Sequence, residues 1–141
     1  MTEQTLSERP VYAPAADRPL SPHLQVWRWS VTMASSITHR ATGIALYAGS
    51  ILLTAWIASA ALGEQSYEAM KAFLGSPFGL LILFGFTWAQ MYHLCNGIRH
   101  LIFDAGHLLS IDHAKMSAWG VYIGSVAFTA IIWIAGFAMK G

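Results

Sequence analysis

The chain has 141 residues, enough for one domain. Apolar residues make up 55% of it and charged residues only 11%, against about 25% charged in an ordinary soluble domain. A net charge of +1 gives no nucleic-acid footprint, and the single cysteine, Cys95, excludes an internal disulfide framework, a cysteine-based zinc site and Cys-x-x-Cys-His haem attachment.

Residues 1–18 read as a flexible, solvated N-terminal tail. Glu3, Glu8 and Asp17 within it are foreign to a secretory signal or an arginine-rich transit peptide. Residues 19–141 read as a membrane domain. Pro19-Leu20-Ser21-Pro22-His23 is expected to form a stiff turn, because two prolines fix local φ. Trp27, Arg28 and Trp29 suit the headgroup zone, where amphipathic rings settle.

The fold class is all-α integral membrane, with three transmembrane helices predicted at about 30–62, 78–104 and 115–139. Each exceeds the ~20 apolar residues needed to cross the hydrocarbon layer. Glu64 to Ser76 and Asp104 to Lys115 are expected to be polar loops. Arg9, Arg18, Arg28, Arg40, Arg99 and Lys115 then fall on one side of the bilayer, and Lys71 and Lys140 on the other. The positive-inside rule places the first side, with the N-terminus, in the cytoplasm.

In the first span, Ser36, His39, Arg40 and Gly43 form one stripe at helical spacing. Ionisable groups beside a span are costly and usually face a cavity or partner. A hydroxyl such as Ser36 can bond a quinone carbonyl, and a fixed cation such as Arg40 stabilises the charge that develops on reduction. In the second span, His93 and His100 share a face, about two turns apart, with Asn96 and Gly97 between them. Imidazole, glycine and imidazole on one face make a slot for a flat ligand, and b-type haem iron takes neutral imidazole axially. Arg99 and His100, nearer the interface, are expected to partner haem propionates. Tyr92 is expected to belt the interface, Asp104 to cap its helix or pair with Arg99, and Cys95 to fill space. Gly120-x-x-x-Gly124 permits close helix packing. Two other classes fit the same polar side chains: a small transporter or proton relay without cofactor, and a purely structural anchor.

Arg18-Pro19-Leu20-Ser21-Pro22-His23-Leu24, Ser36-Ile37-Thr38-His39-Arg40-Ala41-Thr42-Gly43, and His93 through Asp104 with Gly106 carry a resemblance. In these motifs, from Arg18 to the C-terminus, the chain resembles the cytochrome b556 family, the large membrane-anchor subunits of succinate dehydrogenase (respiratory complex II). The resemblance implies half of a two-chain anchor bundle in a bacterial inner (cytoplasmic) membrane. Its partners would be a second small anchor, an iron–sulfur subunit and a flavoprotein that carries the succinate chemistry. One haem b would be shared between the anchors, with His93 as an axial iron ligand. His39, Arg40, Gly97 and His100 would line the haem pocket, and Ser36 and Arg40 would contact ubiquinone. The same architecture run in reverse would anchor a quinol:fumarate reductase.

Overall fold

The structure, a computed structural model, describes residues 28–140. The expected tail and the proline-rich turn before Leu24 lie outside the described residues. Among the described residues there are four helices: α1 Val31–Ala61, α2 Glu64–Gly75, α3 Pro77–Asp104 and α4 Ile111–Lys140. Three are long and apolar enough to cross a membrane, with mean hydropathy of 1.7 in α1, 1.3 in α3 and 1.9 in α4 over their most apolar windows. α3 is the middle helix and packs along both α1 and α4, which touch each other more sparsely. At about 1.5 Å per residue the 31 residues of α1 extend ~46 Å, well past a hydrocarbon core of ~30 Å. α1 is therefore long enough for an end of it to reach headgroup level.

The expected loop Glu64–Ser76 is instead the helix α2. Its glycine and proline signals stand at the ends of the helix. Gly63, at φ 112°, takes a backbone conformation that favours glycine and turns the chain out of α1. The segment between consists of good helix formers, with Lys71 Nζ donating to Glu68 Oε1 at 2.7 Å across one turn. Ser76 closes α2 and opens α3. Its hydroxyl donates to the Phe73 carbonyl (2.6 Å) and accepts from the Gly79 amide (3.1 Å), and Pro77 takes the first helical position. A Cβ at Gly79 would run into the Phe73 carbonyl oxygen and the Leu74 Cα, so only glycine lets α2 fold back this closely.

The second expected loop is shorter than Asp104–Lys115, because α4 already begins at Ile111, with Ser110 Oγ accepting from the His113 amide. Asp104 does not cap α3. The helix ends in a Schellman motif, with Gly106 at φ 81°, the Gly106 amide on Phe103 O (2.9 Å) and the His107 amide on Ile102 O (3.1 Å). Nor does Asp104 pair with Arg99: among the described residues the one ion pair is Lys71–Glu68.

The bundle is polar inside and apolar outside. Ser35, Thr42, Ser59, Asn96, Arg99, Ser125 and Thr129 are buried, whereas Ile44, Ile51, Leu94, Ile98, Ile123 and Ile131 are exposed. Lipid tails are as apolar as leucine, so burying leucine gains little here. Small and hydroxyl side chains serve better, because they let backbones approach. The hydroxyls of Ser59, Ser125 and Thr129 bond carbonyls of their own helices and leave no open donor. In the Gly120/Gly124 pair only Gly124 meets a neighbour, Cys95 Sγ of α3, while a Cβ at Gly120 would enter open space.

Candidate functional site

Three imidazoles converge where α1 meets α3. His39 comes from α1, and His93 and His100 from α3. The ring of His39 stacks on that of His93, with centroids 4.0 Å apart and planes inclined by 29°. It also lies 5.4 Å from the ring of His100. His39 thus sits between the two histidines that helical spacing placed on one face of α3. A Cβ at Gly43 would stand 3.2 Å from His93 Cε1, so this glycine admits the ring edge against the α1 backbone. A Cβ at Gly97 would meet nothing within 4 Å, which leaves that stretch of the α3 surface clear.

The hydrogen bonds of the cluster are sparse. Thr42 Oγ1 donates to the His39 carbonyl at 2.9 Å and lies 3.3 Å from His93 Nδ1. Nε2 of His39 is buried and has no protein partner. Among the described residues no three His, Cys, Asp or Glu side chains converge as a ligand set for a metal ion. The stacked imidazoles cover each other's faces, so any ligand would be met by ring nitrogens and ring edges.

Ser36 and Arg40 belong to the same end of α1 but point away from the bundle. Both are exposed, and they are tied to one another: the Arg40 guanidinium donates to Ser36 Oγ and to its carbonyl, each at 3.4 Å. The stripe read from the sequence is therefore divided, with His39 and Gly43 against His93, and Ser36 and Arg40 on the open side.

Two α3 residues differ from expectation. Arg99 is not beside His100 at the surface. It is 7% exposed and enters the α3–α4 contact, where Nε donates to Ser117 Oγ (2.8 Å), Nη2 to the Ala114 carbonyl (3.1 Å) and Nη1 to Asn96 Oδ1 (3.4 Å). A step of ~100° per residue turns Arg99 away from the His100 face toward α4. Tyr92 belts no interface. It is fully buried, and its hydroxyl donates to the Ser35 carbonyl at 3.2 Å. Ser35 Oγ in turn donates to Asn96 Oδ1 at 3.1 Å. Ser35, Tyr92, Asn96, Arg99 and Ser117 thus form a polar chain across three helices. The sequence did contain a signal for it: Ser35 lies beside Ser36, and adjacent helical residues point in different directions.

A bundle of three helices long and apolar enough to cross a membrane, with ionisable groups gathered near one end of its central helix, defines a small integral membrane protein. The model of the succinate dehydrogenase/fumarate reductase transmembrane subunit family matches residues 14–132, and the chain belongs to that family. It is 40% identical to the succinate dehydrogenase cytochrome b556 subunit of Paracoccus denitrificans, over 86% of this chain and 93% of the relative. The corresponding subunit of Rickettsia bellii is 38% identical over 83% and 91%. The mitochondrial cytochrome b560 subunit of Sus scrofa is 44% identical over 79% of this chain and 67% of the relative.

Proposed function

We propose that this chain is the membrane anchor and cytochrome subunit of a succinate:ubiquinone oxidoreductase, holding haem b through His93 and contributing Ser36 and Arg40 to the ubiquinone site. The observation that carries this reading is the imidazole cluster: His93 against His39 at 4.0 Å, its ring edge seated against Gly43, with open space at Gly97. The residues fit a haem. His93 offers one imidazole nitrogen, and the buried, unpartnered Nε2 of His39 calls for a polar group such as a propionate. His100 and the exposed Arg40 add donors and charge on the same end of the bundle. A second ligand would come from the smaller anchor, since His39 stacks on the His93 ring at 4.0 Å, too close to hold an iron between the two. Bound haem b supplies a one-electron redox centre to the assembly.

Ubiquinone reduction takes two electrons and two protons. The Ser36 hydroxyl would donate to a quinone carbonyl oxygen, and the Arg40 guanidinium would stabilise the negative charge that develops there. Imidazoles exchange protons near neutral pH, so a histidine of the cluster such as His39 would serve as a relay. Their mutual bonds of 3.4 Å are long, which leaves both Ser36 and Arg40 free to turn toward a ligand. This chain carries no succinate chemistry, which would belong to a flavoprotein docked with an iron–sulfur subunit on the cytoplasmic face of a bacterial inner membrane. The exposed apolar outer surface would be covered by lipid and by the second anchor.

The test is a reduced-minus-oxidised visible spectrum of the purified complex. A b-type α band that disappears in His93→Ala, with flavin content unchanged, is the expected result. A band of full height in His93→Ala overturns the assignment.

A further inference from the structure

We infer that Thr42 is the positioning residue that decides which nitrogen of His93 is free to bind iron. The inference rests on the haem assignment above and concerns only groups of this chain. The Thr42 hydroxyl has one proton and two lone pairs. Its oxygen lies 2.9 Å from the His39 carbonyl, nearer than the 3.3 Å to His93 Nδ1, so the proton is assigned to the shorter bond. The same oxygen lies 3.3 Å from His93 Nδ1. With its proton spent, it can only accept from that nitrogen, which must therefore carry hydrogen. The neutral ring then has its lone pair on Nε2. Among the described residues no protein group hydrogen-bonds His93 Nε2, so this nitrogen remains open.

Three features make the arrangement rigid. Thr42 is 4% exposed, so water does not compete for its lone pairs. Its β-branched side chain is stiff about χ1 in a helix. Gly43, the next residue, has no Cβ, which would stand 3.2 Å from Cε1, so the ring edge is seated against α1 there. A hydrogen bond at Nδ1 also makes Nε2 a better electron donor, the usual effect of an outer partner on a ligating histidine. A stronger donor favours ferric over ferrous iron, so Thr42 holds the potential of the site down.

The experiment compares Thr42→Val, Thr42→Ala and Thr42→Ser with His93→Ala in the purified complex. The readings are the haem-to-flavin ratio and a redox titration followed at the α band. Thr42→Val keeps the shape and loses the acceptor. The expected result is a fall in haem content of about tenfold, or a higher midpoint potential, in both Val and Ala variants, with Thr42→Ser close to the unaltered chain. Unchanged haem content and potential in Thr42→Val, with the band lost in His93→Ala, overturns the role of Thr42 and leaves the haem assignment standing. A full band in His93→Ala removes the haem assignment itself. Loss of flavin-containing complex in both Val and Ala variants, with Ser intact, overturns the inference in favour of a hydroxyl that only holds the helices together.

Discussion

The imidazoles of His39 and His93 lie face to face, 4.0 Å between centroids, one delivered by α1 and the other by α3. This stack joins the motif of the first span to the motif of the second. It also buries the Nε2 of His39 without a protein partner, and the cost of leaving a polar atom unpaired is about 1–3 kcal/mol. Substituting His39 by Phe would keep the stack and remove the nitrogen. Because the unpaired atom marks a polar role, His39→Phe is expected to lower the haem-to-flavin ratio as much as His39→Ala does. Retention of haem in the Phe variant alone would assign His39 to packing.

Ser36 and Arg40 should separate quinone chemistry from assembly. Ser36→Ala is expected to lower quinone-linked turnover about tenfold, and Arg40→Leu on the order of a hundredfold, because on the proposed reading each would remove a donor to the quinone oxygen. Succinate oxidation with an artificial acceptor should survive in both. Equal loss of the two activities would instead indicate a damaged anchor.

Arg99 should behave as a structural residue. Its three bonds to Ser117, Ala114 and Asn96 tie α3 to α4 and to the buried polar chain. Two of them cross to α4, and interhelical hydrogen bonds in membranes average about 0.6 kcal/mol each, so Arg99→Met is expected to cost about 1 kcal/mol. The check is thermal unfolding of the detergent-solubilised complex. A role at the haem propionates would appear differently, as a shifted midpoint potential with unchanged thermal stability.

The clear surface at Gly97 is open to a direct test. A leucine there would meet no protein atom within 4 Å of its Cβ, so the helices should pack as before. If the space belongs to a flat ligand, Gly97→Leu lowers haem content severalfold while flavin and thermal stability hold. Gly79→Ala should do the opposite. Its Cβ would clash with the backbone of Phe73 and Leu74, and overpacking costs about 1–3 kcal/mol, so stability falls with no direct effect on the haem site.

The three spans were legible because uncharged runs of that length have few other uses. Within them, residues such as His39, His93 and His100 could be identified because histidines are rare in lipid, and their spacing fixed which of them shared a face. What spacing on one helix cannot reveal is the identity of the neighbour. Asn96 and Arg99 were read with His93 as one polar end of α3, yet Arg99 turns toward α4 and Asn96 takes its bond from Ser35. Tyr92 looked like an interface residue because tyrosines often are, and only the approach of α1 shows its hydroxyl meeting the Ser35 carbonyl. At α2 the sequence misled differently. Glu64–Ser76 reads as a polar loop, whereas Gly63 and Ser76-Pro77 punctuate a helix from both sides.

The division of polar partners between α1 and α3 has a consequence for biogenesis. Ribosomes make α1 first, so Ser35 and Thr42 leave the insertion channel before Asn96 and His93 have been synthesised. Until then those hydroxyls are unmatched by any later helix. A nascent chain halted after α2 should therefore keep α1 in the bilayer but leave its rotation unset, and that is fixed only when α3 arrives beside it.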